Sequence, residues 1–584
     1  MLLAALMLVQ SQIAWTPLDL TASTGEKVPS TTAYITVPER RDRSGGGQVR
    51  LFIAKLGATT DRPGPPIVYL AGGPGSAGVP TSPNFSPFVL GLRAFGDVVF
   101  YDQRGTGRAE PSLVVPGRLD LPSDQPLRSP ATEARLTAVL VAALDTLRAR
   151  GVDPAAYTTA ESVEDLEALR MALGAERLVL WGHSYGSHLA LAYVKRYPNR
   201  VARLLLGGIN GPDHRWRPPV DGDVLLARID SAVKADSKLR ERIPDFLGLV
   251  RRVMDRLEKA PLLVEQDGKK WLVGRDEVAA TIALMSGEVE FIKRLPQLFT
   301  WLEAGDGAYF VRTMRNALKE RAFGTAMTYP MHLASGVSPA RAARIAREAG
   351  TAIMGNAINW PWDLPSFASM WKVPDLGEGF RAPVTSSAPA FLYSGTFDGR
   401  TSLADAEEVR RGFPNGVHVV VDGSAHAPHL QSVELMRMML DFAAGRPVRS
   451  GHLRVPFGFR SPDEPAQIGE LARIAQTEGG EAAAVRLRAL AADPKVALTS
   501  YVPGTVSFNL LAATPKRARE AVALLEAGIA LFPTVAFLHE RLGDGYLALG
   551  DTAKARTVYG KAAALDPFTL SARIAELKLT PKPQ

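Results

Sequence analysis

At 584 residues the chain is too long for one ordinary domain, and two or three are expected. Its 46% hydrophobic and 22% charged residues fit a globular protein with a sizeable core, and the absence of cysteine excludes disulfides, thiolate zinc sites and a cysteine nucleophile. The net charge of +8 is spread as single arginines with no dense basic tract, which reads as a solvated surface and not a nucleic-acid site.

The chain opens on an apolar run, Met1–Val9, followed by small residues around Ser11 and Ala14 where cleavage could occur. The run lacks a basic leader and is too short to span a bilayer. Residues 1–26 are read as a signal peptide and N-terminal segment, with export to the periplasm or beyond. A core-facing segment in a cytoplasmic protein is the alternative. No later apolar run is long enough to be transmembrane.

Thr31–Val37 and Val49–Lys55 are β-rich and joined by an Arg/Gly/Ser-rich turn, as in an antiparallel hairpin at a sheet edge. Short apolar runs then alternate with helical stretches. Strands are expected at Pro66–Ala71, Asp97–Tyr101, Arg177–Trp181 and Val201–Ile209, and helices at 132–150, 161–173 and 186–197. That alternation predicts βαβ units and a mostly parallel sheet buried on both faces, an α/β fold whose first part is 27–210. It stops over 211–385, where helical segments dominate and a lid is expected. Strands return at Ala388–Ser394 and Val417–Val421, each followed by a helix, so 386–446 forms the second part of the core. The Pro/Gly-rich stretch 447–465 reads as a linker.

Beyond it, 466–584 is rich in Ala, Leu and Arg and carries an internal repeat. Leu542, Gly543, Tyr546, Ala555, Tyr559, Ala562 and Pro567 sit at tetratricopeptide spacings. Phe508, Ala521, Leu525, Gly528 and Pro533 repeat that register 34 residues earlier. A third, divergent hairpin is read at 471–494. A region of this kind could hold a protein or peptide partner; an ordinary helical hairpin is the alternative.

Gly182-His183-Ser184-Tyr185-Gly186 lies between an expected strand and an expected helix. Gly-x-Ser-x-Gly at such a junction is the nucleophile elbow of α/β-hydrolases, with glycines where a side chain would strike neighbouring backbone. The order Ser, acid, His then selects Asp398 and His426, each in a loop leaving a strand at the same sheet edge. His426 would act as general base and then acid, with Asp398 fixing its tautomer. Of the nine histidines, His183 and His188 are read as packing residues, and His429 is the rival to His426. Asp405 and Asp422 compete with Asp398. Ala71-Gly72-Gly73-Pro74-Gly75 follows a strand and would supply an oxyanion donor, the amide of Gly73, beside that of Tyr185. No Gly-Lys-Ser/Thr or GxGxxG is present, which argues against nucleotide binding.

Gly72–Gly75, Asp102-Gln103-Arg104-Gly105-Thr106-Gly107, the elbow, Asp398 ahead of Thr401, and Ser424-Ala425-His426 together resemble the prolyl and tripeptidyl aminopeptidase family of α/β-hydrolases, over roughly 30–445. The resemblance implies cleavage of N-terminal residues or short peptides beneath a helical lid, without metal or cofactor. Ala71 stands where that family usually has histidine, and the C-terminal helical region is not general to it. The Asp-Gln-Arg-Gly-Thr-Gly segment is assigned to architecture. An exopeptidase must also hold a free α-ammonium, for which Asp213, Glu288 and Glu290 are positional candidates.

The sequence therefore predicts a serine aminopeptidase acting through an acyl-enzyme on a peptide substrate. The alternatives are an esterase or amidase using the same residues, and a binding scaffold whose hydrolase is vestigial.

Overall fold

The computed structural model describes residues 13–21, 27–43, 46–80 and 87–565. The expected signal peptide falls largely outside that set, as does Pro567. Among these residues twelve strands are formed: β1 Thr16–Thr21, β2 Lys27–Pro38, β3 Gln48–Leu56, β4 Ile67–Leu70, β5 Val98–Tyr101, β6 Leu178–His183, β7 Val201–Gly207, β8 Leu262–Gln266, β9 Lys269–Val273, β10 Ala390–Gly395, β11 Gly416–Asp422 and β12 Gly451–Arg454. Ten of them make one sheet, ordered β1-β2-β3-β5-β4-β6-β7-β10-β11-β12. The β1-β2-β3-β5 edge is antiparallel, and every pairing from β5 to β12 is parallel.

The residue patterns explain that division. In β10 all six residues are buried, and in β5 all four, as strands covered on both faces must be. Strand β2 instead alternates buried and exposed positions, which suits an edge with one wet face. Alternate residues of the central strands feed two apolar layers. Val68, Leu180, Leu204 and Leu392 face the layer that continues into the lid. Ile67, Trp181, Leu205 and Phe391 face the other. The crossover helices are capped by short side chains: Ser129 Oγ accepts from the Thr132 amide, Thr158 Oγ1 from Glu161 and Ser402 Oγ from Asp405.

The segment between β7 and β10 is mostly helical, as expected, with one addition. Strands β8 and β9 form a hairpin whose turn, Asp267-Gly268, has φ of 52° and 70°. The stretch 447–465, expected to be a linker, instead contributes β12, paired in parallel with β11.

Among the described residues the C-terminal region forms six helices: Glu464–Thr477, Gly480–Ala492, Tyr501–Ala512, Ala518–Leu531, Ala536–Ala548 and Thr552–Leu565. Small residues sit at their crossings. A methyl on Gly543 would come within 2.3 Å of the Tyr559 ring, and one on Gly528 within 3.0 Å of Pro503. Phe508, by contrast, is 54% exposed and so does not fill the core position its register implies; Arg541 lies over its ring at 4.7 Å. This region is bolted to the lid. Lys238 Nζ donates to the Val496 carbonyl at 2.7 Å, the Arg460 amide to Lys293 at 2.8 Å, and the Tyr501 hydroxyl to Glu290 at 2.6 Å. No helix among the described residues is long and apolar enough to cross a membrane.

Candidate active site

Strand β6 delivers the chain into a turn at Ser184, whose φ of 55° lies in the left-handed region and is rare for a residue with a side chain. The helix Tyr185–Arg196 starts at the next residue. The flanking glycines are sterically required. A Cβ on Gly182 would stand 2.5 Å from the Gly186 carbonyl oxygen, and one on Gly186 would stand 1.9 Å from that of Leu70. The Ser184 amide donates to Gly207 of β7 at 2.8 Å, which anchors the turn on the sheet. Ser184 therefore sits at the carboxyl edge of the central strands, lining a cavity of about 250 Å³ shared with lid residues.

Strands β10 and β11 bring the other two residues to the same edge. Asp398 follows β10 and His426 follows β11, 4% and 6% exposed. His426 Nδ1 and Asp398 Oδ2 are 2.8 Å apart. Asp398 Oδ2 also accepts from the Thr401 hydroxyl at 2.6 Å, while Oδ1 accepts from the amides of Arg400 and Thr401 at 2.8 and 3.0 Å. Burial alone would push this carboxyl up. The facing imidazole and the Thr401 donors outweigh it and hold the group below the usual carboxylate range. With Nδ1 engaged, the other ring nitrogen of His426 is left for a proton from a nucleophile. Among the described residues Ser184 Oγ makes no hydrogen bond of 3.5 Å or less, the looser arrangement common before substrate binds.

The competing residues are elsewhere engaged. The His183 ring packs between those of His426 and His429 at 4.9 and 5.2 Å, and its Nδ1 is buried without a partner. Burial pushes His429 down to about 4, and no carboxylate faces its ring. His188 bonds the Gly211 carbonyl and the Ser335 hydroxyl. Asp405 accepts from Arg341 at 2.8 Å, and Asp422 faces His452. His214, Asp405 and Glu408 cluster closely enough to hold a cation, but Arg341 already neutralises Asp405.

The glycine loop after β4 lies against the nucleophile: a Cβ on Gly72 would be 3.1 Å from that of Ser184. Gly73 lines the cavity, and Tyr185 opens a helix, where the first amides lack intrahelical acceptors. The Asp-Gln-Arg-Gly-Thr-Gly segment holds this loop from behind. Asp102 accepts from the amides of Gly78, Val79 and Arg108, and Gln103 donates to the Ala71 carbonyl at 3.1 Å. Arg104, 0% exposed, forks onto Asp165 with two bonds of 2.7 Å and donates to the carbonyls of Glu39 and Ala156.

The three acidic candidates for ammonium binding are committed to other partners. Asp213 caps the helix Pro339–Ala349 through Ser338, Glu290 bonds Tyr501 and Lys293, and Glu288 pairs with Arg400 at 3.2 Å. Sequence reasoning passed over Thr401 as a donor to Asp398 and over Arg215, Arg217 and His332, which line the cavity. The pointer was available: Arg215 and Arg217 leave β7 at the sheet edge that carries the elbow.

The parallel sheet, the helical segment inserted between β7 and β10, and a serine elbow at the sheet edge that also carries a carboxylate–imidazole pair define the α/β-hydrolase fold. A family model described as alpha/beta hydrolase fold matches residues 65–263. Among curated relatives, the tripeptidyl aminopeptidase of Streptomyces lividans is 28% identical over 237 residues, 38% of this chain and 44% of its own length. The serine protease Hip1 of Mycobacterium tuberculosis (strain H37Rv) is 26% identical over 227 residues, 37% of this chain and 42% of its own. The proline iminopeptidase of Xylella fastidiosa is 32% identical over 151 residues, 25% of this chain and 33% of its own. The matches thus span less than half the length of these relatives.

Proposed function

We propose that this chain is a serine hydrolase that cleaves short peptides through an acyl-enzyme. The observation that carries the reading is the convergence of three strand ends on one edge: Ser184 after β6, Asp398 after β10 and His426 after β11, with the acid and imidazole 2.8 Å apart. In this mechanism His426 takes the Ser184 proton as Oγ bonds to the scissile carbonyl carbon. The oxyanion is held by the Gly73 and Tyr185 amides, each contributing roughly 3 kcal/mol. The imidazolium then protonates the leaving amine as the C–N bond breaks. Water, deprotonated by the same imidazole, releases the acid and restores Ser184.

The names of the partial relatives support a peptide substrate and, in two of them, release from the N-terminus. One observation favours a second reading, an esterase or amidase on a small acyl substrate. Among the described residues no aspartate or glutamate lines the cavity, so the α-ammonium of an aminopeptidase substrate would meet no counter-charge there.

A panel of aminoacyl, prolyl and tripeptidyl 4-nitroanilides, free and N-acetylated, beside short acyl esters, separates these readings. Ser184→Ala serves as control and should lose on the order of 10⁶ in kcat. N-acetylation that leaves amide cleavage unchanged removes the aminopeptidase form. Failure of a fluorophosphonate to label Ser184 in folded protein removes the acyl-enzyme altogether and leaves a binding scaffold.

A further inference from the structure

The charge of the cavity is lopsided. Arg215, Arg217 and Arg400 line it, together with Ser184 and Gly73. Arg400 is paired with Glu288, but neither Arg215 nor Arg217 has a carboxylate within 4.0 Å among the described residues. Their partners are neutral. Arg215 Nη2 faces His332 Nδ1 at 3.3 Å and its Nη1 faces the Asn210 amide oxygen at 3.5 Å. Arg217 donates to the carbonyls of Ile358 and Gly399 at 2.7 and 3.5 Å. Arg215 Nε is buried without any hydrogen-bond partner. So is Nε2 of His332, a residue only 2% exposed.

A half-buried guanidinium with no carboxylate beside it favours an anion, because partial withdrawal from water weakens the solvation of its charge. The nearby carboxylates cannot serve. Asp398 is held by His426 and Thr401, Asp405 by Arg341, and Asp221 lies 3.9 Å from Arg344. Burial lowers both arginines to about 10, Arg217 also through its cationic neighbours Arg400 and Arg215, and leaves both charged at neutral pH.

We propose that Arg215 and Arg217 bind a carboxylate of the substrate, so that the enzyme prefers small acyl compounds bearing an anionic group close to the scissile carbonyl. This rests on Ser184 as the acylated residue. The guanidinium fork matches a carboxylate in two-point geometry, and neither Arg215 nor Arg217 spends its charge on a carboxylate of the protein among the described residues. At about 250 Å³ the cavity lies below the roughly 300–1,000 Å³ of pockets for drug-sized ligands, which suits one or two residues or a short diacid. The carboxylate can be the side chain of an acidic residue or the free terminus of a very short peptide.

Binding and turnover test this separately. With full-length Ser184→Ala protein, glutarate is titrated against its neutral isostere glutaramide by calorimetry. Glutarate should bind at least ten-fold more tightly, and that margin should vanish in the Arg215→Gln and Arg217→Gln forms and persist in part with Arg217→Lys. With wild-type enzyme, glutamyl and glutaminyl 4-nitroanilides compare an acidic with a neutral side chain. Dipeptides with a free or amidated C-terminus compare the terminal carboxylate. The anionic member of one pair should show at least ten-fold higher kcat/KM, carried mainly by KM, and the pair in which it appears identifies the source. Ratios are read within each protein, so loss of folded variant does not decide the outcome. Equal affinity for glutarate and glutaramide, or a neutral preference in both pairs, overturns the anion site. If nothing is turned over and fluorophosphonate leaves Ser184 unlabelled, acyl transfer fails, while the glutarate titration still decides the arginine pair.

Discussion

Gly208, the residue after β7, has φ of 55°, and a Cβ built on it would stand 2.7 Å from His426 Cε1 and 3.1 Å from Nδ1. Carbon atoms in ordinary contact are about 3.5–4.0 Å apart, so Gly208→Ala must drive the imidazole back by about 1 Å. The ring cannot yield freely, because Nδ1 is tied to Asp398 at 2.8 Å and the acid is fixed by Thr401. A displacement of that size at a proton-transfer site costs about 10²-fold in rate. The left-handed backbone adds about 1–2 kcal/mol of destabilisation for a residue with a side chain. Gly151→Ala isolates the second effect: its φ is 74°, and nothing lies within 4 Å of the added methyl. Urea unfolding should therefore show a larger loss of stability in Gly208→Ala, which adds the clash to the backbone strain shared by both variants, and steady-state turnover should show kcat falling only in Gly208→Ala. If Gly208→Ala keeps kcat within about three-fold of wild type, the position of His426 does not limit the reaction and the base assignment fails.

Thr401→Val removes one donor from a buried carboxylate. It should lower stability by about 1.5–3 kcal/mol and shift the acid limb of the pH–rate profile, because the Asp398 carboxyl rises toward its ordinary value. Arg104→Met leaves Asp165, 1% exposed, with Arg41 as its remaining cation and removes the donor to the Glu39 and Ala156 carbonyls; it should cost about 1.5–3 kcal/mol in urea unfolding. His188, 0% exposed and held between two neutral partners, is pushed by burial down to about 3. The unfolded chain binds that proton near pH 6.5, so stability should be full above this and fall by roughly 1.4 kcal/mol per pH unit as pH drops toward 3. His188→Asn should flatten the unfolding free energy against pH by up to one proton over that window, and an unchanged slope would place the acid sensitivity elsewhere.

The central strands were legible because a strand buried on both faces must be apolar throughout, as in Val98–Tyr101. The elbow was legible because its glycines answer to clashes within five residues and to the strand beside it. Asp398 and His426 could be chosen from chain order together with their places in loops leaving expected strands, and the structure brings those two side chains together. The short edge strands left less trace. Three of the four residues of β12 are exposed and the fourth is half-buried, so no alternation marked them, and the flanking prolines and glycines suggested a linker. Asp267-Gly268 between two short β-rich runs was a readable hairpin signal inside a segment taken as helical. What composition could not show is which charges remain unpaired. Arg215 and Arg217 are two among many arginines in the sequence, and only the packing of the 358–362 and 399–401 segments around them separates them from the rest.

The bonds between the C-terminal helices and the lid govern how the cavity can breathe. Helix Arg275–Met285 supplies Ala283 and Leu284 to one wall and runs on into the segment that carries Glu290, Lys293 and Gln297. Those three are bridged to Tyr501, Arg460 and Ser461. That wall is splinted: it cannot swing outward unless the bridges to the tail break. The part of the lining that carries Thr328, His332 and Trp362 has no hydrogen bond or ion pair to the C-terminal helices among the described residues. Any widening of the cavity that spares the bridges to the tail must therefore come from the Thr328, His332 and Trp362 side.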